Sequence, residues 1–177
     1  IMAIAIVAIF VGTNINVKAD TSMKLPDAIS IGLSFGTPIF KKIKIGDEIY
    51  DGIAIPGSYN MGNPGEPYLP FKTLKVLIPC GKEVDKIEWT GKETFIGQGY
   101  KIMPASSEIP IGSSEYSLPA PDEEIYSSYN PFPGSVYKSL GIQFFRGYAI
   151  LPINVFPIKY IPASGEIFFY SHINFTI

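Results

Sequence analysis

The sequence predicts an all-β domain, a β-sandwich or jelly roll of roughly eight to ten short, mostly antiparallel strands. Three observations predict it. Apolar and polar residues alternate from Ile29 onward. Glycine (17) and proline (16), neither periodic, cut the chain into short elements, and no stretch carries a convincing helical period. With 46% apolar and 14% aromatic residues, 177 residues suffice for one sizeable core.

The elements follow in order. Residues 1–12, IMAIAIVAIFVG, are uncharged and almost wholly apolar, but too short to span a hydrocarbon core of about 30 Å comfortably. They read as the apolar region of a secretory signal peptide, residues 1–19, N-terminally incomplete and cleaved between Ala19 and Asp20. The remaining domain, 20–177, is then expected to be secreted, extracellular or at the cell surface, with no membrane contact after signal removal. In PIFKKIKI, Ile39, Ile43 and Ile45 share a face; Gly46-Asp47 suits a type II′ hairpin turn, and Ile49, Ile53 and Ile55 continue in phase. The prolines and glycines of residues 56–70 exclude a helix or a central strand. FKTLKVLIP is the next strand, and counting by twos places Cys80 with Leu74, Val76 and Ile78, as a buried, inert thiol. EVDKIEWT and KETFIGQGYKIM are expected as two further strands.

Residues 104–135 break the pattern. Six prolines and eight serines oppose a strand there, and five acidic residues with no base make the stretch an acidic loop. A loop this long in a compact domain is usually functional or disordered. At least three strands follow, with a turn at Pro162-Ala163-Ser164-Gly165. Pro157 and Pro162 cannot donate ladder hydrogen bonds and mark strand ends or edges around a closing pair, in which Tyr160 is expected to pack. Arg146, the sole arginine, reads as mid-strand, on one face with Phe144 and Tyr148 and stacked between them.

Several functions are excluded on composition. A net charge of −2 with no basic cluster beyond Lys41, Lys42 and Lys44 argues against nucleic-acid binding. A Cys–His nucleophile would require Cys80 and His172, the sole residues of their types. Alternation puts Cys80 inward and His172 on the outer face with Tyr170, Asn174 and Thr176. One histidine with scattered carboxylates offers no metal site, Asp122-Glu123-Glu124 reads as solvated loop, and no phosphate-binding glycine motif occurs. No catalytic residue, cofactor or metal is expected; this segment is not an enzyme.

The order of motifs carries more. Gly65-Glu66-Pro67-Tyr68-Leu69-Pro70 precedes a strand that Leu77-Ile78-Pro79 closes. Tyr129, Phe132-Pro133-Gly134, Phe145-Arg146-Gly147-Tyr148 and Phe156-Pro157-Ile158-Lys159-Tyr160 then follow in order. From about residue 28 to 177 this succession resembles the N-terminal propeptide of gingipain-type, clan CD cysteine peptidases. The resemblance implies a non-catalytic β-sandwich that assists folding of a catalytic domain, expected downstream of Ile177, and occludes its active site until cleavage. The partner is then the cognate peptidase, in cis or after cleavage in trans, and the precursor a cysteine endopeptidase. The resemblance also makes Arg146 tempting as the residue offered to an arginine- or lysine-specific pocket, but a substrate-like probe should project from a loop. The 104–135 loop is therefore the better inhibitory segment, with Glu115 and Tyr116 inside it and Lys101 and Lys138 at its margins as candidates. Gly65, Pro67, Leu69, Pro70, Pro79, Arg146, Gly147, Tyr148, Pro157 and Tyr160 are expected to be structural. The competing reading is a free-standing carbohydrate-binding or adhesion module using exposed aromatics such as Trp89 and the tyrosines of 116–129.

Overall fold

The computed structural model describes residues 28–106 and 120–177. Its elements are β1 (Ser30–Ser34), β2 (Ile39–Ile45), β3 (Glu48–Ala54), β4 (Tyr59–Met61), β5 (Leu69–Ile78), β6 (Glu88–Gly97), α1 (Glu123–Tyr126), β7 (Tyr137–Ser139), β8 (Gln143–Phe145), β9 (Tyr148–Val155), β10 (Ile158–Ile161) and β11 (Glu166–Thr176). All ladders between strands are antiparallel. In one sheet β11 is central: β1 and β10 share one of its edges and β6 takes the other. In the second, β5 and β9 are central, β4 flanks β5, and β7 and β8 lie along the free edge of β9. The β2–β3 hairpin stands as a third, two-stranded unit.

Alternation builds the core. Leu74, Val76 and Ile78 of β5 and Leu151, Ile153 and Val155 of β9 are buried from one sheet. Ile167, Phe169, Ile173 and Phe175 of β11 meet them from the other, in a single cluster. Between β9 and β10 the chain leaves one sheet for the other. Pro157 occupies that corner and Pro162 lies just past β10, both at strand ends as expected of residues without an N–H donor. The hairpin of β10 and β11 through residues 162–165 closes the first sheet.

Some expectations fail for identifiable reasons. EVDKIEWT and KETFIGQGYKIM form one strand, β6, whose register jumps against β11 at two places. One of those jumps lies between Tyr170 and Ile173, so strict alternation breaks there: Tyr170 is buried under Trp89 while His172 is exposed. Cys80 is exposed, not buried, because Pro79 ends β5 and the chain turns before the next inward position arrives. Ile39 and Ile49 are also exposed, since the β2–β3 unit is only partly covered by the sandwich. The largest correction concerns Arg146. It is no mid-strand residue but the first position of the two-residue turn between β8 and β9, with φ 51°, followed by Gly147 at φ 83°. That turn breaks the phase: Phe145, opposite Tyr148, stacks under the guanidinium at 5.2 Å, and Phe144 faces the other way.

Candidate functional site

The sequence of turn Asn63-Pro64-Gly65-Glu66-Pro67 dictates a tight, self-bonded corner. The Glu66 carboxylate accepts from the Asn63 backbone N–H (2.9 Å) and side-chain amide (3.0 Å). Gly65 adopts φ 89°, a conformation other residues avoid. On this corner the two flanks of the acidic loop meet. On the outgoing side, Ala105 N–H donates to the Glu66 carbonyl (2.7 Å) and Gly65 N–H to the Ala105 carbonyl (3.1 Å). On the returning side, Asp122 N–H donates to the Gly65 carbonyl (3.0 Å). The described flanks on either side of residues 107–119 are thus both fastened to one residue. Gly65 forms a closed neck.

Two tyrosines bolt that neck to the core. Tyr160 Oη, in a fully buried ring, donates to the Tyr100 carbonyl (3.0 Å) and accepts from Ile102 N–H (3.4 Å). Tyr126 Oη donates to the Ile102 carbonyl (2.8 Å). Burial pushes both phenols above the ordinary tyrosine range, so both remain hydrogen-bond donors at neutral pH. Tyr126 is placed by α1, a single turn whose N-cap is Asp122, its carboxylate accepting from Ile125 N–H at 3.1 Å. The acidic triplet 122–124 is therefore a helix start with its acids at the favourable end rather than plain solvated loop. Nor does the whole span 104–135 lie outside the core: Pro104 and Ala105 are buried, and Phe132 exchanges backbone hydrogen bonds with Tyr160 at 2.7 and 2.9 Å.

The candidate residues separate sharply. Lys101 is tied down: Nζ meets Glu48 Oε2 at 2.7 Å and lies 4.8 Å over the Tyr50 ring. Its hydrogen bond to Glu48 raises its pKa. Lys138, exposed on β7, has no side-chain partner among the described residues and lines a cleft of about 460 Å³ with Asn63, Glu66, Phe132 and Phe156 beside the neck. Glu115 and Tyr116, with Ala19 and Asp20, lie outside the described residues. Gly65, Pro67, Leu69, Pro70 and Tyr160 gather in or beside the neck, all buried. Pro79, Arg146, Gly147 and Tyr148 sit at the far end of the second sheet, where Ile78 pairs with Ala149.

His172 uses Nδ1 with Ser34 Oγ (3.0 Å) and Nε2 with Asn174 Oδ1 (2.8 Å), leaving neither ring nitrogen to serve Cys80. Among the described residues, no group of three or more His, Cys, Asp or Glu could hold a metal ion. Sequence reasoning missed two features: the neck, whose one signal was a glycine among prolines facing a proline-rich loop, and the exposed Phe144-Phe145 hairpin, for which FFRG is the signal, a turn with glycine second.

Comparison with protein-family models matches residues 11–177 to the family described as Propeptide_C25. Comparison with curated proteins finds no match. Among solved structures, the chain is similar to the complex of the pro- and mature domains of RgpB from Porphyromonas gingivalis. The TM-score is 0.71 at 16% identity, over 96% of this chain and 83% of that one. A structure addressing the zymogenic latency of gingipain K from the same organism is similar with TM-score 0.64 at 15% identity, over 84% of this chain and 85% of that one. At such identities the likeness is one of fold.

Proposed function

This chain belongs to the Propeptide_C25 family, and from that premise we propose how it works: as the inhibitory and folding-assisting propeptide of a secreted gingipain-like cysteine endopeptidase. Its partner is the cognate catalytic domain, held inactive until cleavage; the propeptide itself performs no chemistry. The observation that carries the mechanism is the neck at Gly65. Fastening both flanks of a proline-rich segment to one buried residue removes much of its conformational freedom before docking, so less entropy is lost on binding. Residues 107–119, Glu115 and Tyr116 among them, enter the active-site cleft in this reading. The segment offers no base, so it blocks sterically or suits a peptidase that does not demand Lys or Arg. Of the two lysines at the margins, Lys101 pairs with Glu48 and Lys138 lies beside the neck, so Lys138 is the one offered as a contact in this reading.

The leader reading adds that residues 1–19 are removed on export, leaving Asp20 as the N-terminus; N-terminal sequencing of secreted protein checks it, and retained residues 1–19 would refute it. Among the described residues no helix is long and apolar enough to cross a membrane. The direct test of function replaces 107–119 by a Gly/Ser linker, keeping the neck. Inhibition of the peptidase should weaken while the fold survives. Equal inhibition by both forms places the blocking surface elsewhere on the sandwich, and no inhibition by the intact domain favours an adhesion or sugar-binding module.

A further inference from the structure

At the end of the second sheet remote from the neck, the β8–β9 hairpin overhangs the sandwich. Cross-strand pairing sets Phe145 opposite Tyr148 on one face and Phe144 opposite Ala149 on the other. Neither face is covered: Phe144 is 79%, Phe145 61% and Tyr148 60% exposed, and Leu140 and Ile142 extend the apolar surface. At the tip, left-handed φ at both Arg146 and Gly147 gives the pattern of a type I′ turn. Arg146 packs on Phe145 and has no carboxylate partner among the described residues. An exposed apolar patch on a two-stranded arm, ending in a guanidinium with no carboxylate partner among the described residues, is costly in a monomer and marks a binding surface.

We propose that this arm, residues 140–148, is the anchor by which the propeptide grips its catalytic domain, which supplies an apolar groove with a carboxylate for Arg146. The inference rests on the propeptide reading and adds to it a second point of attachment. Geometry favours that occupant. The three rings expose roughly 400 Å², about half of what one partner contributes to a standard interface. The rest must come from elsewhere on the same face. β7 and β8 form one continuous edge along β9, with Lys138 beside the neck at one end and Arg146 at the other. Along β9 six residue steps run from Asn154, opposite Lys138, to Tyr148, opposite Phe145 next to Arg146, roughly 20 Å at strand spacing. One globular catalytic domain can reach both. A lipid surface would call for a cluster of bases, and the arm has one. Self-pairing of two arms would bring Arg146 against Arg146 and bury too little area for a stable dimer.

The test titrates the mature catalytic domain encoded with this chain against the chain and two variants. Phe144→Ser with Phe145→Ser removes the rings from a solvent-exposed hairpin. Arg146→Asn removes the charge but keeps a residue at ease with left-handed φ before glycine. We expect thermal unfolding unchanged, affinity lowered at least 100-fold by the double substitution, and at least tenfold by Arg146→Asn. Parent affinity in both variants overturns the arm proposal and leaves the propeptide reading standing. Failure of the parent chain to bind at micromolar concentration overturns both. If the variants keep parent affinity but lose binding to anionic vesicles, or lose a dimer seen by sedimentation, the arm serves that occupant and the proposal fails.

Discussion

Gly65→Ala should open the loop's neck without unfolding the domain. The new residue would be forced to φ 89°, and its Cβ would sit 3.1 Å from the Ala120 carbonyl oxygen. A non-glycine residue held in such a region costs roughly 1–3 kcal/mol. The chain can relieve that by surrendering the Asp122 N–H bond to the Gly65 carbonyl, itself worth about 1 kcal/mol net. Depending on the route, the neck weakens by about 1–3 kcal/mol, roughly 5- to 150-fold in the local opening equilibrium. Amide hydrogen exchange reads this directly: Asp122 should exchange on the order of 10–100 times faster, while amides of β9 and β11 keep their protection. Inhibition should weaken in parallel, because an unfastened segment must be ordered on docking. Gly57→Ala is the control, since Gly57 has φ 76° but open space around it. It should lower stability and leave inhibition by the folded fraction intact. Unchanged exchange at Asp122 with unchanged inhibition in Gly65→Ala would show that Gly65 does not hold the neck closed.

Other expectations follow from the same contacts. Cys80, exposed in the turn after β5, should react fully with a thiol reagent in the native protein; protection until denaturant is added would restore it to the core. Tyr160→Phe should cost roughly 1–2 kcal/mol in urea unfolding, because the Tyr100 carbonyl and Ile102 N–H lose a buried partner; an unchanged midpoint would show that water replaces the hydroxyl. Burial alone would raise the Glu93 pKa, but hydrogen bonds from Lys159 and Tyr170 and the Lys159 charge outweigh it, and the net shift is downward. A depressed carboxyl contributes stability at neutral pH that is lost as pH falls through the folded value. Acid unfolding should therefore have a shallower onset in Glu93→Gln, and identical acid profiles for parent and variant would show that this cluster adds nothing.

The all-β class and most of the core were legible because alternation is a local property. Leu74, Val76, Ile78, Ile167, Phe169 and Ile173 are buried as their spacing requires. Alternation fails where one residue is inserted, where a turn intervenes, or where a strand pair is only partly covered, as at Ile39 and Ile49. The register jump in β11 divides Tyr170 from His172; the turn at Pro79 carries Cys80 outward; the turn at Arg146 moves an apparent strand centre to a hairpin tip. Lys101 illustrates a different limit. Its ion pair with Glu48 and its place over Tyr50 join residues some fifty positions apart, which no local pattern encodes. The neck is non-local in the same way: Gly65, Ala105 and Asp122, far apart in sequence, meet only in the folded chain. Resemblance pointed to Gly65 without a reason; the reason is its carbonyl and N–H, each holding one flank of the loop.

Whether this domain silences a cysteine peptidase is read by adding the separate domain to its cognate catalytic domain and following hydrolysis of a small substrate. A preorganised surface with one loop in the cleft is expected to inhibit with nanomolar affinity, about −12 kcal/mol, and the form lacking 107–119 to inhibit much more weakly. Full hydrolysis in the presence of micromolar intact domain would show that it does not act as an inhibitor.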